Sequence, residues 1–225
     1  MLFRSYVYKM ILPVNLSAFY PYPPKAENIP WPTEFYIAPV FVLIVLGLVI
    51  WSLKSTRIVL FSAGVFFSAL ALVLQYVAVG PAMFNERYSL IPAIPLSFMI
   101  ASFCVYLISK NPQIKQAVYG VIGVYLLAMF YLTYARCDVW QTSLTLWNDV
   151  LKQFPTQATA LNNRGKYFGK DLGSQFAGKD NKTYQAYLDS SLTDLTAAIK
   201  YDPTYEKAFS NRGIVYSIQI GRAHV

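Results

Sequence analysis

Residues 81–95 read PAMFNERYSLIPAIP, and they join two apolar runs that are each long enough to cross a lipid bilayer. This connector holds adjacent opposite charges, Glu86 and Arg87, followed by Tyr88. A turn that only links two membrane helices needs no more than polar, flexible residues. We therefore expect any binding site of the membrane part to include these three residues.

The connector lies within a series of apolar segments. Each of these segments is close in length to the roughly 20 residues that span the hydrocarbon core of a bilayer. Hydrophobic residues make up 56% of the chain and charged residues 13%, whereas soluble domains carry roughly 25% charged residues. Buried core helices of a soluble protein are rarely this long or this repetitive. The sequence predicts an all-α fold that begins as a polytopic bundle of transmembrane helices, with spans at 35–53, 58–79, 89–109 and 117–134.

Basic residues in two loops indicate the orientation of this bundle. Lys54 and Arg57 lie between the first two predicted spans, and Lys110 and Lys115 lie between the last two. Both loops fall on the same side, which the positive-inside tendency makes cytoplasmic. We expect an integral membrane protein in which the connector and everything after Tyr134 are extracytoplasmic, in a periplasm or a lumen.

The formal charge of +8 is spread along the chain, so it does not form a nucleic-acid-binding face and no nucleic acid is expected as a partner. The two cysteines, Cys104 and Cys137, have no metal-ligand spacing. The single histidine is His224, at the extreme C-terminal end. The sequence therefore identifies no metal site and no cofactor.

After Tyr134 the apolar residues become spaced, the charges mix, and a repeat appears. Residues 160–165 (ALNNRG) are echoed at 208–213 (AFSNRG), and Pro155 and Pro203 precede them by the same interval. Helix-like segments at 143–154 and 191–201 both open with Ser-Leu-Thr, a plausible N-cap region. We expect Asn162, Asn163 and Asn211 to line a partner-binding groove; the alternative is that they are solvated helix positions.

This pattern resembles the tetratricopeptide repeat, in which helices are paired with a period of about 34 residues. On that pattern, Gly165 and Gly213 are the small residues at which paired helices approach, and Ala198 is the small residue of the second helix. Gly213 lies 48 positions after Gly165, which exceeds the period of the family. The surplus falls in residues 171–187, rich in Gly, Asp, Asn and Lys, and predicts an inserted loop.

Four regions follow from these observations. Residues 1–34 form the end of a membrane helix and an outer loop, 35–134 the four spans, and 135–218 the repeats. The last seven residues, 219–225 (QIGRAHV), can be back-translated to a common sequencing-adapter sequence. We expect them to be a translated artefact, so no role is assigned to His224.

Three stretches carry a wider resemblance: Leu12–Pro23, Glu86–Pro92 and Trp140–Pro155. In this order they resemble the C-terminal half of membrane glycosyltransferases of the GT-C class with tetratricopeptide tails. These are the transmembrane, tetratricopeptide-containing protein O-mannosyltransferases and their bacterial relatives. The resemblance implies a sugar donor linked to polyprenyl phosphate, membrane lipid around the spans, and a protein or peptide acceptor or partner on the repeats.

In this interpretation Arg87 binds the donor phosphate, because its planar guanidinium holds phosphate with two parallel hydrogen bonds. Glu86 orients the arginine, and Tyr88 packs against the sugar or the isoprenoid chain. The alternative is a purely structural role, in which Glu86 and Arg87 form an ion pair at a helix end and Tyr88 lies at the membrane interface.

The chain departs from the family at one point that matters for activity. The catalytic acid of the family lies in the first outer loop, and Glu34 is in the wrong context to replace it. No catalytic residue is therefore predicted, and we expect a fragment of an enzyme that is inactive alone. The rival hypothesis is a membrane-anchored tetratricopeptide scaffold that performs no chemistry.

Overall fold

The computed structural model describes residues 2–22, 33–52, 57–71, 82–84 and 86–223, and most of these residues are helical. The prediction of an all-α fold is confirmed. The chain divides into two compact units. The first contains Met1–Leu16 and Tyr20–Tyr134, and the second contains Ser17–Phe19 and Ala135–Val225.

Among the described residues, five α-helices lie wholly or mostly in the first unit, and they follow the apolar segments of the sequence. They are α1 (Leu2–Ile11), α2 (Thr33–Ser52), α3 (Arg57–Ala71), α4 (Leu90–Lys110) and α5 (Lys115–Cys137). Within the described residues, Leu90–Lys110 and Pro112–Trp140 are long and apolar enough to cross a membrane. Helix α3 is a shorter apolar helix, and residues 72–79 of the second predicted span lie outside the described residues.

Two short strands accompany these helices and were not predicted. Strand β1 (Tyr20–Pro21) pairs antiparallel with β2 (Ala82–Phe84), and Tyr20 lies opposite Phe84. A 3₁₀ turn, Glu86–Ser89, follows β2 and leads into α4. The strand pair thus places the aromatic loop after α1 beside the connector that carries Glu86 and Arg87.

Helix α3 packs against α4 to form the apolar core of the first unit. Phe66 and Leu70 are buried there, and partly buried residues pack around them: Val7, Met10, Tyr20, Phe67 and Leu96. By contrast, the described residues of α5 include none that is buried. Its apolar side chains, including Val121, Leu127, Phe130 and Tyr134, are exposed.

The second unit is built from the repeat region. Its helices are α6 (Ser143–Gln153), α7 (Ala158–Lys166), α8 (Gly173–Phe176), α9 (Asn181–Tyr201) and α10 (Glu206–Ala223). Thr142 and Thr145 form a capping box that starts α6, which satisfies backbone groups that a helix end leaves unpaired. Prolines follow α6 and α9 at Pro155 and Pro203, beyond the last helical residue of each.

The inserted loop predicted at residues 171–187 is wrong. A π-helical turn, Tyr167–Leu172, continues α7 into α8, and α9 already begins at Asn181. The surplus residues therefore lengthen both helices of the repeat, and only a short turn joins them. Of the two glycines in this range, Gly173 is a contact point in α8, where a methyl group would lie 3.1 Å from O of Phe168 and 3.3 Å from Cε2 of Tyr184, whereas Gly178 lies in the short turn with a positive φ of 77°.

Helix α9 is the central element of the second unit and packs against α7, α8 and α10. Its buried residues recur with the spacing of one helix face: Tyr184, Leu188, Ser191, Leu195 and Ala198. The close approach predicted at Gly165 is observed, since a methyl group there would lie 3.0 Å from Cγ of Leu195 and 3.1 Å from O of Ser191. The hydroxyl of Ser191 donates a 2.6 Å hydrogen bond to O of Gly165.

Among the described residues, no heavy atom lies within 4 Å of a methyl group built on Gly213, so the role predicted for this glycine stays a prediction. Ala198 is fully buried, as expected of a small residue in the second helix. Helix α10 continues through residues 219–223, and His224 and Val225 lie outside the described residues.

Candidate functional site

The residues predicted to bind a donor phosphate lie in the 3₁₀ turn Glu86–Ser89. The side chains of Glu86 and Arg87 lie outside the part of the chain that the structure describes, whereas Tyr88 is exposed. The role of these three residues stays a prediction. The backbone of the turn lies close to α1, so residues at the end of α1 belong to the same neighbourhood.

Lys9 is the cation that α1 contributes to this neighbourhood. Its Nζ atom donates hydrogen bonds to the hydroxyl of Tyr20 at 2.8 Å and to O of Asn15 at 3.0 Å. The same atom lies 4.6 Å from the centroid of the Tyr20 ring. The loop after α1 is thereby tied to the helix, which fixes the aromatic segment beside β2.

The three asparagines predicted to bind a partner form a chain of side-chain hydrogen bonds. Nδ2 of Asn211 donates to Oδ1 of Asn162 at 2.8 Å, and Nδ2 of Asn162 donates to Oδ1 of Asn163 at 3.3 Å. Asn162 is only 2% exposed. Its amide therefore joins α7 to α10 inside the repeat unit, while Asn163 and Asn211 are half-buried.

A second group of polar residues, which the sequence analysis did not select, surrounds an open cavity of about 550 Å³ beside α6 and α7. We call it the α6–α7 groove. Its lining combines apolar, amide and charged side chains from these helices and from the segment that precedes α6: Asp138, Val139, Thr145, Asn148, Asp149, Leu151, Lys152 and Arg164.

Arg164 organises the inner wall of the groove. Its Nε and Nη2 atoms donate to Oδ2 and Oδ1 of Asp194 on α9, each at 2.7 Å. Its Nη1 atom donates to Oδ1 of Asn148 on α6 at 2.8 Å. One guanidinium thus links three helices and holds the Asn148 amide in a fixed orientation, with Nδ2 free of partners among the described residues.

The charges nearer the opening are less completely paired. Asp149 forms an ion pair with Arg136, in which Oδ2 of the aspartate lies 2.8 Å from Nη1 of the arginine. The Nε and Nη2 atoms of Arg136 are buried without a partner in the described part of the chain. Asp138 accepts a hydrogen bond from Gln141, and Lys152 is exposed. Neither Asp138 nor Lys152 forms an ion pair within the described ranges. The carboxylate of Asp138 and the ammonium group of Lys152 therefore remain available to form ion pairs with a bound molecule.

The repeated Asn-Arg-Gly motif contributes a residue to this groove, although the prediction concerned the asparagines of the motif and not its arginine. The echo at 160–165 and 208–213 contains Asn-Arg-Gly in both copies, and the partner-binding role predicted for the asparagines stays a prediction. The arginine is the residue that reaches the groove. Its partner Asp194 lies 30 positions away, a separation at which the sequence gives no pairing information.

No group of three or more His, Cys, Asp or Glu residues able to hold a metal ion occurs among the described residues. Comparisons with protein-family models, with curated proteins and with solved structures gave no match to this chain.

Proposed function

We propose that the chain is part of a membrane-bound glycosyltransferase that uses a sugar linked to polyprenyl phosphate, and that its repeat unit binds the protein acceptor or a partner. The observation that carries the binding role is the α6–α7 groove, whose lining includes the oriented Asn148 amide together with Asp138 and Lys152, which form no ion pair among the described residues. The catalytic role rests on the resemblance of the three stretches named above.

The groove suits an extended peptide. The free Nδ2 of Asn148 can donate to a peptide carbonyl, while Val139 and Leu151 offer apolar contact for a side chain. Because Asp194 and Asn148 both hold the guanidinium of Arg164, this amide is positioned before the peptide arrives, which lowers the entropic cost of binding. Asp138 and Lys152 then favour a peptide with a basic residue and an acidic residue at matching positions.

Two features support the donor side of the proposal. Strand β1, which belongs to the family-like stretch Leu12–Pro23, pairs with β2, which ends two residues before the stretch Glu86–Pro92, although the two lie far apart in the sequence. Helices α4 and α5 are apolar and expose most of that apolar surface, as expected beside the isoprenoid chain of a lipid carrier. In this arrangement Arg87 contacts the donor phosphate, Glu86 orients it, and Tyr88 packs on the carrier.

The second candidate function is a membrane-anchored scaffold that performs no chemistry. The same groove favours it, because peptide binding requires none of the residues of a transfer reaction. The two candidates differ at the connector, where the enzyme hypothesis requires a phosphate site and the scaffold hypothesis does not.

The donor site is tested with the chain in lipid nanodiscs, by measuring the binding of a short-chain polyprenyl phosphate and of the corresponding polyprenol. We expect the phosphate to bind at least tenfold more tightly, and Arg87→Ala to remove that difference. Arg57→Ala, at the start of α3, is the matched control and keeps it. Equal affinity for phosphate and alcohol would leave the scaffold as the function.

The groove is tested with labelled decapeptides that carry a lysine and a glutamate at varied spacing. We expect one spacing to bind best, and Lys152→Glu to weaken that peptide while it strengthens the variant peptide with two lysines. Lys170→Glu, on the π-helical turn outside the groove, is the control with the same change in charge. Affinities that are independent of spacing and of Lys152 would contradict peptide binding in the groove.

A further inference from the structure

The turn between α8 and the long helix α9 is the most exposed part of the second unit. Six consecutive residues, 177–182, are exposed, and this is the longest such run among the described residues of the unit. Gly178 in this turn has a positive φ of 77°, and α9 begins at Asn181. A large group attached to this turn would therefore project into solvent.

The sequence at this turn contains a modification motif. Asn181-Lys182-Thr183 has the pattern Asn-x-Ser/Thr, with a residue other than proline in the middle, which accepts asparagine-linked oligosaccharides. Asn181 and Lys182 are exposed, and Thr183 is half-buried. The buried face of α9 starts one position later, at Tyr184. The acceptor asparagine thus lies outside the helix packing of the repeat.

A second triplet of the same pattern, Asn15-Leu16-Ser17, has different surroundings. It begins four positions after the last residue of α1, which we expect to be the end of a membrane helix. Ser17 is only 1% exposed, and its hydroxyl donates a 3.1 Å hydrogen bond to O of Phe19. A bilayer next to this triplet restricts the approach of a large enzyme, so Asn15 provides a comparison within the same chain.

We propose that Asn181 carries an asparagine-linked oligosaccharide, transferred to it by a membrane-bound oligosaccharyltransferase. The donor is an oligosaccharide linked to polyprenyl diphosphate. The Nδ2 atom of Asn181 forms a bond to C1 of the first sugar and loses one proton to a base of the transferase. The bond between C1 and the diphosphate oxygen breaks, and polyprenyl diphosphate leaves with the electron pair. This proposal rests on the extracytoplasmic position of the repeat unit in the proposed function.

The folded structure also indicates when the transfer takes place. The hydroxyl and the backbone N–H of Thr183 both donate to the carboxylate of Asp180, which caps α9. A transferase has to reach the carboxamide and the hydroxyl of the same triplet, and in the folded chain this hydroxyl is held in the cap. Transfer therefore precedes the formation of α9. The exposed position of Asn181 then allows the modified chain to fold with the oligosaccharide in solvent.

The test expresses the full chain in cultured mammalian cells and compares its electrophoretic mobility before and after digestion with peptide-N-glycosidase F. We expect one shift that the digestion removes, and mass spectrometry should find aspartate in place of Asn181 in the digested peptide. Asn181→Gln abolishes the shift, whereas Asn15→Gln, the matched control, keeps it. Thr183→Ala also abolishes the shift, and Thr183→Ser retains it because serine supplies the hydroxyl of the motif.

An added acceptor separates a failure of this proposal from a failure of the orientation. An Asn-Gly-Thr triplet in a flexible linker after the last residue is modified only if the repeat unit is extracytoplasmic. If this triplet is modified but the chain without it shows no shift, the proposal is overturned and the orientation stands. If neither is modified, the repeat unit lies in the cytosol, and the proposed function is overturned as well. A shift that Asn181→Gln leaves unchanged would also overturn the proposal, since the oligosaccharide would then be attached elsewhere.

Discussion

The guanidinium of Arg164 and the carboxylate of Asp194 meet through two parallel hydrogen bonds of 2.7 Å, and the side chain of Asp194 is only 7% exposed. The two residues come from α7 and α9, which form the pair of long helices in the repeat. A buried carboxylate needs such a partner, because an uncompensated charge inside a protein is strongly destabilising. The pair therefore links the folding of the repeat to the geometry of the α6–α7 groove.

Replacement of Arg164 by alanine is expected to destabilise the repeat unit by about 3 kcal/mol, since Asp194 then remains buried without its partner. Hydrogen exchange of the α7 and α9 amides, followed by mass spectrometry, measures the effect locally. Arg212→Ala is the matched control, because the equivalent arginine forms no ion pair in the described part of the chain. We expect a change below about 0.5 kcal/mol for it, and equal effects of the two substitutions would contradict this interpretation.

Alanine at Gly165 and at Gly213 is expected to act in opposite directions. At Gly165 the new methyl group would lie 3.0–3.1 Å from Leu195, Asp194 and the backbone of Ser191, and overpacking of this kind costs about 1–3 kcal/mol. At Gly213 the surroundings are open, so the better helix propensity of alanine stabilises by up to about 1 kcal/mol. Thermal unfolding of the two variants measures the sign, and stabilisation by Gly165→Ala would show that α9 can move away.

Asp180 gives the start of α9 a dependence on pH. The hydroxyl and the backbone N–H of Thr183 donate to its carboxylate, and these bonds hold the pKa of Asp180 below its ordinary value. Because the pKa is lower in the folded state, this stabilisation is complete above the ordinary pKa and is lost as the pH falls through the folded-state value.

Asn at this position keeps an oxygen that caps the helix but does not titrate. We therefore expect Asp180→Asn to lose less stability than the wild-type chain between pH 5 and about pH 3, as measured by thermal unfolding at each pH. Asp171→Asn, an exposed aspartate for which no cap is observed, is the control. Parallel pH profiles for all three chains would rule out a contribution from this cap.

A charge in the middle of α5 is expected to prevent its insertion into a membrane. Leu127 is 70% exposed near the centre of this helix, and Leu127→Lys adds about 3 kcal/mol to the insertion free energy at that depth. Gln116→Lys, beside Lys115 at the start of the helix, is the control and costs little because the ammonium reaches the interface. Since α4 can hold the chain in the membrane even when α5 does not insert, the measurement is the labelling of Cys137 by a membrane-impermeant maleimide from the extracytoplasmic side in a Cys104→Ser background, and equal labelling of the two variants would argue against α5 as a span.

The predicted orientation is tested at Cys137, which is exposed at the end of α5. In a Cys104→Ser background, we expect a membrane-impermeant maleimide to label Cys137 in intact cells or sealed vesicles from the extracytoplasmic side. Permeabilisation should not increase the labelling. Labelling only after permeabilisation would place the repeat unit in the cytosol, and the polyprenyl-phosphate proposal would fall with the orientation.

The sequence predicted the elements of this fold better than their contacts. Helices α4 and α5 follow from apolar length alone, and the resemblance to the tetratricopeptide pattern predicted the close helix approach that is observed at Gly165. The insertion predicted at 171–187 is wrong because glycine-rich composition is typical of loops, whereas Gly173 here lies in α8 against the ring of Tyr184. Strands of two or three residues, such as β1 and β2, carry no periodicity to detect.

The candidate site shows the same limit. Asn162 belongs to the motif that contributes to the groove, but its carboxamide forms hydrogen bonds inside the second unit. Arg164, two positions later, contacts the groove residue Asn148 instead. Asn162 and Arg164 lie two positions apart on α7, so which of them points into the groove depends on the rotation of this helix, and the packing of Gly165 on α9 sets that rotation. The contact between Arg164 and Asp194 depends on that packing and has no local signature.

The lengthened helices of the repeat also constrain how this protein can change through evolution. Tyr187 of α9 lies against two rings of the other helix, Phe168 at 6.3 Å and Phe176 at 5.5 Å between centroids. A deletion that shortened one helix alone would separate these aromatic rings and expose them to solvent. Insertions and deletions in the gene should therefore be tolerated only in matched pairs, one in each helix. The lengths of the two helices then change together during evolution.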